Sequence, residues 1–204
     1  MKNFLLLSAL VLPSLAFAQK YEIGLNMGMS KSSAIDYPMP GSASYSSRGG
    51  FSPYVSGKFL YDRGHMQYGI GTDFVMPHTS YKDLETGATA KVFYAHPLVP
   101  IYGIANRTFN VGKHSYFYAG GSLGIGYASY SSAFGSGKDN QYSVGGNSLM
   151  PLIGAQAGFT QYFGRVGLNA ELAAKWLPDI TGSKDAYGYS IYSGTIGLRY
   201  RIGK

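Results

Sequence analysis

The chain contains no cysteine among its 204 residues, which removes disulfides, thiol chemistry and a lipid-modified N-terminal cysteine together. Charged residues amount to only 13%. After residue 18 no apolar run approaches the roughly 20 residues that a membrane helix needs. Helical periodicity is missing over the same stretch, which argues against a soluble α/β fold. The four histidines, His65, His78, His96 and His114, stand at least 13 residues apart, with no HExxH pair and no acid-rich calcium loop. No metal-ligand spacing is therefore present. The glycine-rich run Gly120-Gly121-Ser122-Leu123-Gly124-Ile125-Gly126 precedes no helix and reads as part of a strand, so it is no dinucleotide fingerprint. Its glycines are expected to let the wall bend or to admit large opposing side chains. No cofactor is expected.

What is abundant is glycine, 29 residues, and tyrosine, 19 residues. The N-terminus reads as an export leader. Lys2 is its positive end, residues 4–12 are its apolar centre, and Ala16-Phe17-Ala18 is its cleavage site. Residues 1–18 are thus expected to be removed, leaving one domain over 19–204.

The strongest signal within that domain is the last strand, 189–202. Gly194, Ile196, Leu198, Tyr200 and Ile202 share one face, and Thr195, Gly197, Arg199 and Arg201 the other. Similar alternation predicts strands over 21–30, 51–61, 66–76, 115–129, 149–162 and 166–176. A further strand over 91–105 contains Pro97 and Pro100, each lacking a ladder donor, so a bulge is expected there and its facing is left open. Eight strands result, joined alternately by long loops (31–50, 77–90, 130–147, 177–188) and short turns (62–65, 106–114, 163–165). A soluble barrel would carry its apolar side chains inside. Here Lys58, Asp73, Glu171 and Lys175 share the polar parity with the two terminal arginines, and unpaired charge is costly to bury in an apolar core. The expected fold is an all-β, eight-stranded antiparallel up-and-down transmembrane barrel with a wet, charged interior.

Thr195, Gly197, Tyr200 and Ile202 match the C-terminal insertion signal of outer-membrane barrels, although Gly203 and Lys204 extend past the usual terminal aromatic. With this motif the whole of 19–204 resembles the small outer-membrane barrels of the OmpA/OmpX type. The resemblance implies an outer-membrane location, insertion by the outer-membrane assembly machinery, and both termini with the short turns in the periplasm. Outward aromatics then fall into two girdles: Tyr21, Tyr61, Phe117 and Tyr200 below, Phe51, Phe74, Tyr127 and Trp176 above.

This topology sorts the charge. Without Lys2 the net is +6, of which +5 falls on the periplasmic rim (Lys20, Arg63, Arg107, Lys113, Arg165 and Lys204 against Asp62) and +1 in the lumen. The loops balance to zero. No basic outer face forms, so nucleic acid is not an expected partner, and the rim cations suit anionic head groups. The lumen charges are expected to pair, Glu171 with Arg199, and Glu22 with Arg199 or Arg201. The same residues would line a narrow pore if they did not. No histidine cluster of an enzyme is visible. The loops carry Tyr37, Tyr45 and Arg48, then Tyr130, Phe134 and Tyr142. That composition fits contact with a surface glycan or a protein. The reading reached is a non-enzymatic envelope or surface-interaction barrel, with a small porin or a lipid-modifying enzyme as alternatives.

Overall fold

Alternating sequence becomes strand almost wherever it occurs. A computed structural model describes residues 20–34, 45–76, 78–83, 89–93, 98–134, 142–178 and 189–203. The leader 1–18, Tyr37, His96 and Pro97 lie outside the described residues. The strands are β1 (Lys20–Ala34), β2 (Tyr45–Gly49), β3 (Phe51–Asp62), β4 (Met66–Val75), β5 (His78–Asp83), β6 (Thr89–Phe93), β7 (Val99–Asn110), β8 (Ser115–Phe134), β9 (Tyr142–Phe163), β10 (Val166–Leu177) and β11 (Tyr189–Ile202). Eight of them close an antiparallel barrel in the order β1-β11-β10-β9-β8-β7-β4-β3, and β1 pairs with β3 to complete the ring. The shortest wall strand, β4, has 10 residues, enough to cross a bilayer when tilted.

The polarity is inside-out. Leu172 and Ile196 are 71% and 70% exposed on the outer surface, while Glu22, Lys58, Asp73, Glu171, Lys175 and Arg199 are buried within. Both sets of girdle aromatics lie on the outer face, with Tyr21 stacked on Phe59 at 5.5 Å and Phe117 against Phe159 at 4.9 Å. An exterior this apolar is a lipid-facing surface.

Two expectations are corrected. The proposed strand over 91–105 is two separate pieces. Residues 89–93 form β6, outside the wall, and the wall strand β7 starts at Val99 and runs past the expected turn to Asn110. No bulge forms in the described part. Thr72 lies opposite Ile101, and Val75 bridges Leu98, so the register is the same on both sides of Asp73 and Pro100. Pro100 simply lacks the N–H that its place in the ladder calls for, and one rung is missing. Its facing is now fixed: Pro100, Tyr102, Ile104, Asn106 and Thr108 point inward. Arg107, assigned to the turn, sits instead on the outer face of β7 with its guanidinium 5.6 Å from the Phe109 ring.

The long connections are also richer in strand than expected. β2, β5 and β6 form a second, three-stranded sheet in the order β2-β5-β6. β6 lies against β8, and β2 against β1. Gly49 pairs with Thr79 and Tyr54 with Val75, so the β2–β3 side carries one residue more than the β4–β5 side across the break. That count is the signature of a bulge, and it separates this sheet from the wall. The third loop is largely a hairpin: β8 and β9 stay paired out to Phe134 and Tyr142. This end of the barrel is called the crown; the opposite end carries the three short turns.

The seam between the first and last strands runs from Tyr21 opposite Ile202 to Ala34 opposite Tyr189. Gly197 sits there opposite Asn26. A Cβ on it would run into the Leu25 carbonyl oxygen and the Asn26 Cα, which are backbone and cannot swing away. Gly197→Val should therefore cost about 1–3 kcal/mol of folding stability and reduce the heat-sensitive folded band on an unheated gel. Lys204→Ala should leave that band unchanged. Equal folded fractions for both would show that the seam tolerates a side chain at 197.

Candidate functional site: the filled lumen

An eight-stranded barrel has room inside for side chains and little else. Three polar clusters fill it here. Nearest the turns, Glu22 on β1 meets both terminal arginines: Arg201 Nε lies 3.0 Å and Arg199 Nη1 3.4 Å from its carboxylate. Tyr116 completes the cluster. Its hydroxyl donates to Glu22 at 2.9 Å and accepts from Arg199 at 2.8 Å and from Gln67 at 2.9 Å. The Arg201 guanidinium lies over the Tyr162 ring, 3.5 Å from its centroid. Neighbouring strands bring these groups together by register, since Glu22 is directly opposite Arg201.

At mid-wall the expected Glu171–Arg199 pair does not form. Glu171 is bound instead by Lys58 at 2.5 and 2.6 Å, and Lys58 also donates to Gln156 at 3.0 Å. Register explains the exchange. On β11 the residue opposite Glu171 is Thr195, four positions before Arg199, a separation of roughly 13 Å along the strand. Lys58 and Arg199 flank Gly24 of β1 from the two adjoining strands. The missing side chain lets both stems pack at 3.7–3.8 Å from where a Cβ would be. Two cations so placed repel, and each turns to its own acid, Arg199 towards the turns and Lys58 across the lumen. Tyr118 donates to Glu171 at 2.6 Å. Asn169 links Thr160 and Asn26, at 2.9 and 3.1 Å.

Towards the crown, Lys175 pairs with Asp73, and Tyr102 donates to the same carboxylate at 2.6 Å. Lys175 also donates to the Tyr54 hydroxyl at 3.0 Å and lies 3.9 Å from the Tyr102 ring centroid. Beyond it the lumen turns apolar. Val75, Leu98, Met150, Leu152, Leu177 and Ile191 all face inward and are buried, in one cluster with Tyr54 and Tyr102. The lumen therefore has a paired ionic middle and an apolar ring at its crown end. All four inward cations and all three inward carboxylates of the described wall have an ionic partner.

No protein-family model and no curated protein matches the chain by sequence. Solved structures do match. Neisserial surface protein A superposes with a TM-score of 0.54 at 17% identity, over 89% of this chain and 97% of that one. The outer membrane protein OprG from Pseudomonas aeruginosa gives 0.54 at 10% identity, over 90% and 96%. The chain has the fold of the small eight-stranded outer-membrane barrels.

Several members of this barrel's lumen are residues that charge counting passed over. Tyr54, Tyr102, Tyr116, Tyr118 and Tyr162 all point inward and are buried. Parity held the signal for four of them, because each lies two residues from a small polar inward position or from another such tyrosine. Glycines make the room: the Tyr102 ring occupies the space of a Gly71 side chain, and Tyr118 that of Gly158. The apolar ring was equally legible, as Val75 and Leu177 lie two residues beyond Asp73 and Lys175. Of the crown residues, Tyr45 and Arg48 stand on β2, Tyr130 and Phe134 on β8, and Tyr142 on β9, all strand rather than loop. Among the insertion-signal residues, Thr195 faces the lumen, Gly197 packs at the seam, and Tyr200 and Ile202 face lipid. His65 and His114 lie in turns and His78 on β5. Among the described residues no three His, Asp or Glu side chains are grouped closely enough to hold a metal.

A buried pair of this kind is more sensitive to losing one partner than to losing both. Lys58→Ala leaves Glu171 charged in a closed lumen and should destabilise the barrel by about 3–5 kcal/mol. The double change Lys58→Met with Glu171→Leu should recover most of that loss. Urea unfolding in bilayers gives both values. A double variant no more stable than Lys58→Ala would place the loss elsewhere than in the unpaired charge.

Proposed function

We propose that the protein is an outer-membrane barrel that acts through its crown, as a non-enzymatic surface-interaction element, rather than through its lumen. One observation carries this reading: the wall encloses charged side chains that pair with one another, with an apolar ring above them, while paired strand continues past the wall at one end only. From Tyr127, the last β8 residue paired with β7, the β8–β9 ladder runs seven pairs further, to Phe134 opposite Tyr142. The second sheet stands at the same end. The fold shared with an outer membrane protein supports the location. The crown then faces outward and the short turns face the periplasm, as in the arrangement that puts short turns inside.

The partner this crown suits is a neutral polar surface, a glycan or a protein. Tyrosine offers wide contact with little rotamer freedom to lose, and serine and asparagine adapt their hydrogen bonds. Tyr37, Tyr45, Arg48, Tyr130, Phe134 and Tyr142 are the residues assigned to this contact. Acid and base balance in the connections, so the binding should depend weakly on salt. The lumen gives the porin alternative little support, because a conducting path would have to pass both the ion pairs and the apolar ring.

Replacing 128–148 with a tight turn should leave the barrel folded, since the wall ladder does not include those residues. It should reduce adhesion of whole cells expressing the protein to the level of cells without it. In planar bilayers the intact protein should show no steady conductance. Adhesion that survives both this deletion and a matching shortening of 35–48 would end the crown reading, and a stable open channel would return the lumen to the centre.

A further inference from the structure

We propose a second site, an anion-binding vestibule at the turn end of the barrel that takes a phosphate group. A cavity of about 540 Å³ opens there between the β3–β4 turn and the β7–β8 turn. Arg63, Lys113 and Arg201 line it, against a single carboxylate, Asp62. Asp62 is engaged by its own turn, where the Gly64 amide donates to it at 2.9 Å. The turn is in turn fastened to β7: the Thr108 amide and hydroxyl bond the carbonyls of His65 and Gly64 at 2.9 and 2.8 Å. The cavity wall is thus built from hydrogen-bonded backbone.

Arg201 is the centre of the site. Glu22 holds its Nε, and the Tyr162 ring lies against its guanidinium, so the fork is fixed before any ligand arrives. Its side chain is 25% exposed where Arg199 beside it is 1%. Only Nε is bonded to protein among the described residues, leaving the two terminal nitrogens for the vestibule. A rigid planar fork with open N–H groups, flanked by two further cations, matches the oxygens of a phosphate. The rim cations therefore have separate uses. Arg107 faces lipid, while Arg63 and Lys113 line the mouth.

The test equilibrates radiolabelled inorganic phosphate with the full chain folded in neutral detergent. Saturable uptake is expected, weakened about tenfold or more by Arg63→Ala with Lys113→Ala. The urea midpoint should not move, because both residues lie in turns outside the ladder. Arg201→Lys keeps a charge beside Glu22 but removes the fork, and it should weaken uptake while the folded band persists. Phosphatidylglycerol added to the micelles separates the sources. Displacement of the label identifies a lipid head group as the ligand, and no displacement assigns the site to soluble phosphate. Absence of saturable uptake, or uptake unchanged in the double turn variant, overturns the proposal, whatever the outcome for adhesion.

Discussion

A backbone amide in hydrocarbon has no water to bond, so every wall strand must find two neighbours. The pairing of β1 with β11 meets that demand, because it removes the only two edges an eight-stranded meander would leave. The rest of the molecule follows from it. Closure forces each strand to present alternate residues to two different solvents, lipid and lumen. It sets the close approach at Gly197, where the first strand's backbone passes too near for a side chain. It also fixes which charges meet, since Glu22 reaches Arg201 only across the closed seam.

Closure also fixes the interior volume, and that volume is too small to hydrate seven charges. The buried groups must satisfy one another, and tyrosines are the means. Their hydroxyls bridge acids to amides and arginines, and their rings lie against the cations. The two ends of the lumen differ. The crown end is closed by aliphatic side chains. The turn end opens into a cationic vestibule. A wall filled this way has little left to do at its centre, which directs both proposed activities to the ends.

The sequence was most informative where one face was uniformly apolar. The span 189–202 was legible to the residue, and 166–176 to within one. Legibility failed where prolines broke the alternation. Pro97 and Pro100 suggested a distorted strand, but the missing donor of Pro100 deleted a rung without shifting register, and the strand reached five residues beyond its expected end. Polar composition misled in the connections, where short polar segments conceal β2, β5 and the long hairpin. Those segments pair only with one another or with a neighbouring strand, so they need no apolar face and leave no periodic trace. The Glu171–Arg199 error has a different origin. Adjacent strands made the pair plausible, but partner choice depended on the stagger between strands and on Lys58 arriving from across the lumen. Neither is written in a single strand.

The inside-out arrangement is tested most directly by the one tryptophan, Trp176, which stands on the outer face of β10, 47% exposed in the isolated chain. With the barrel reconstituted into vesicles of acyl-brominated phospholipid, its fluorescence should be strongly quenched, and aqueous iodide should have little effect. Strong quenching by iodide with none from the brominated chains would contradict the account, because it would place the apolar exterior out of the membrane.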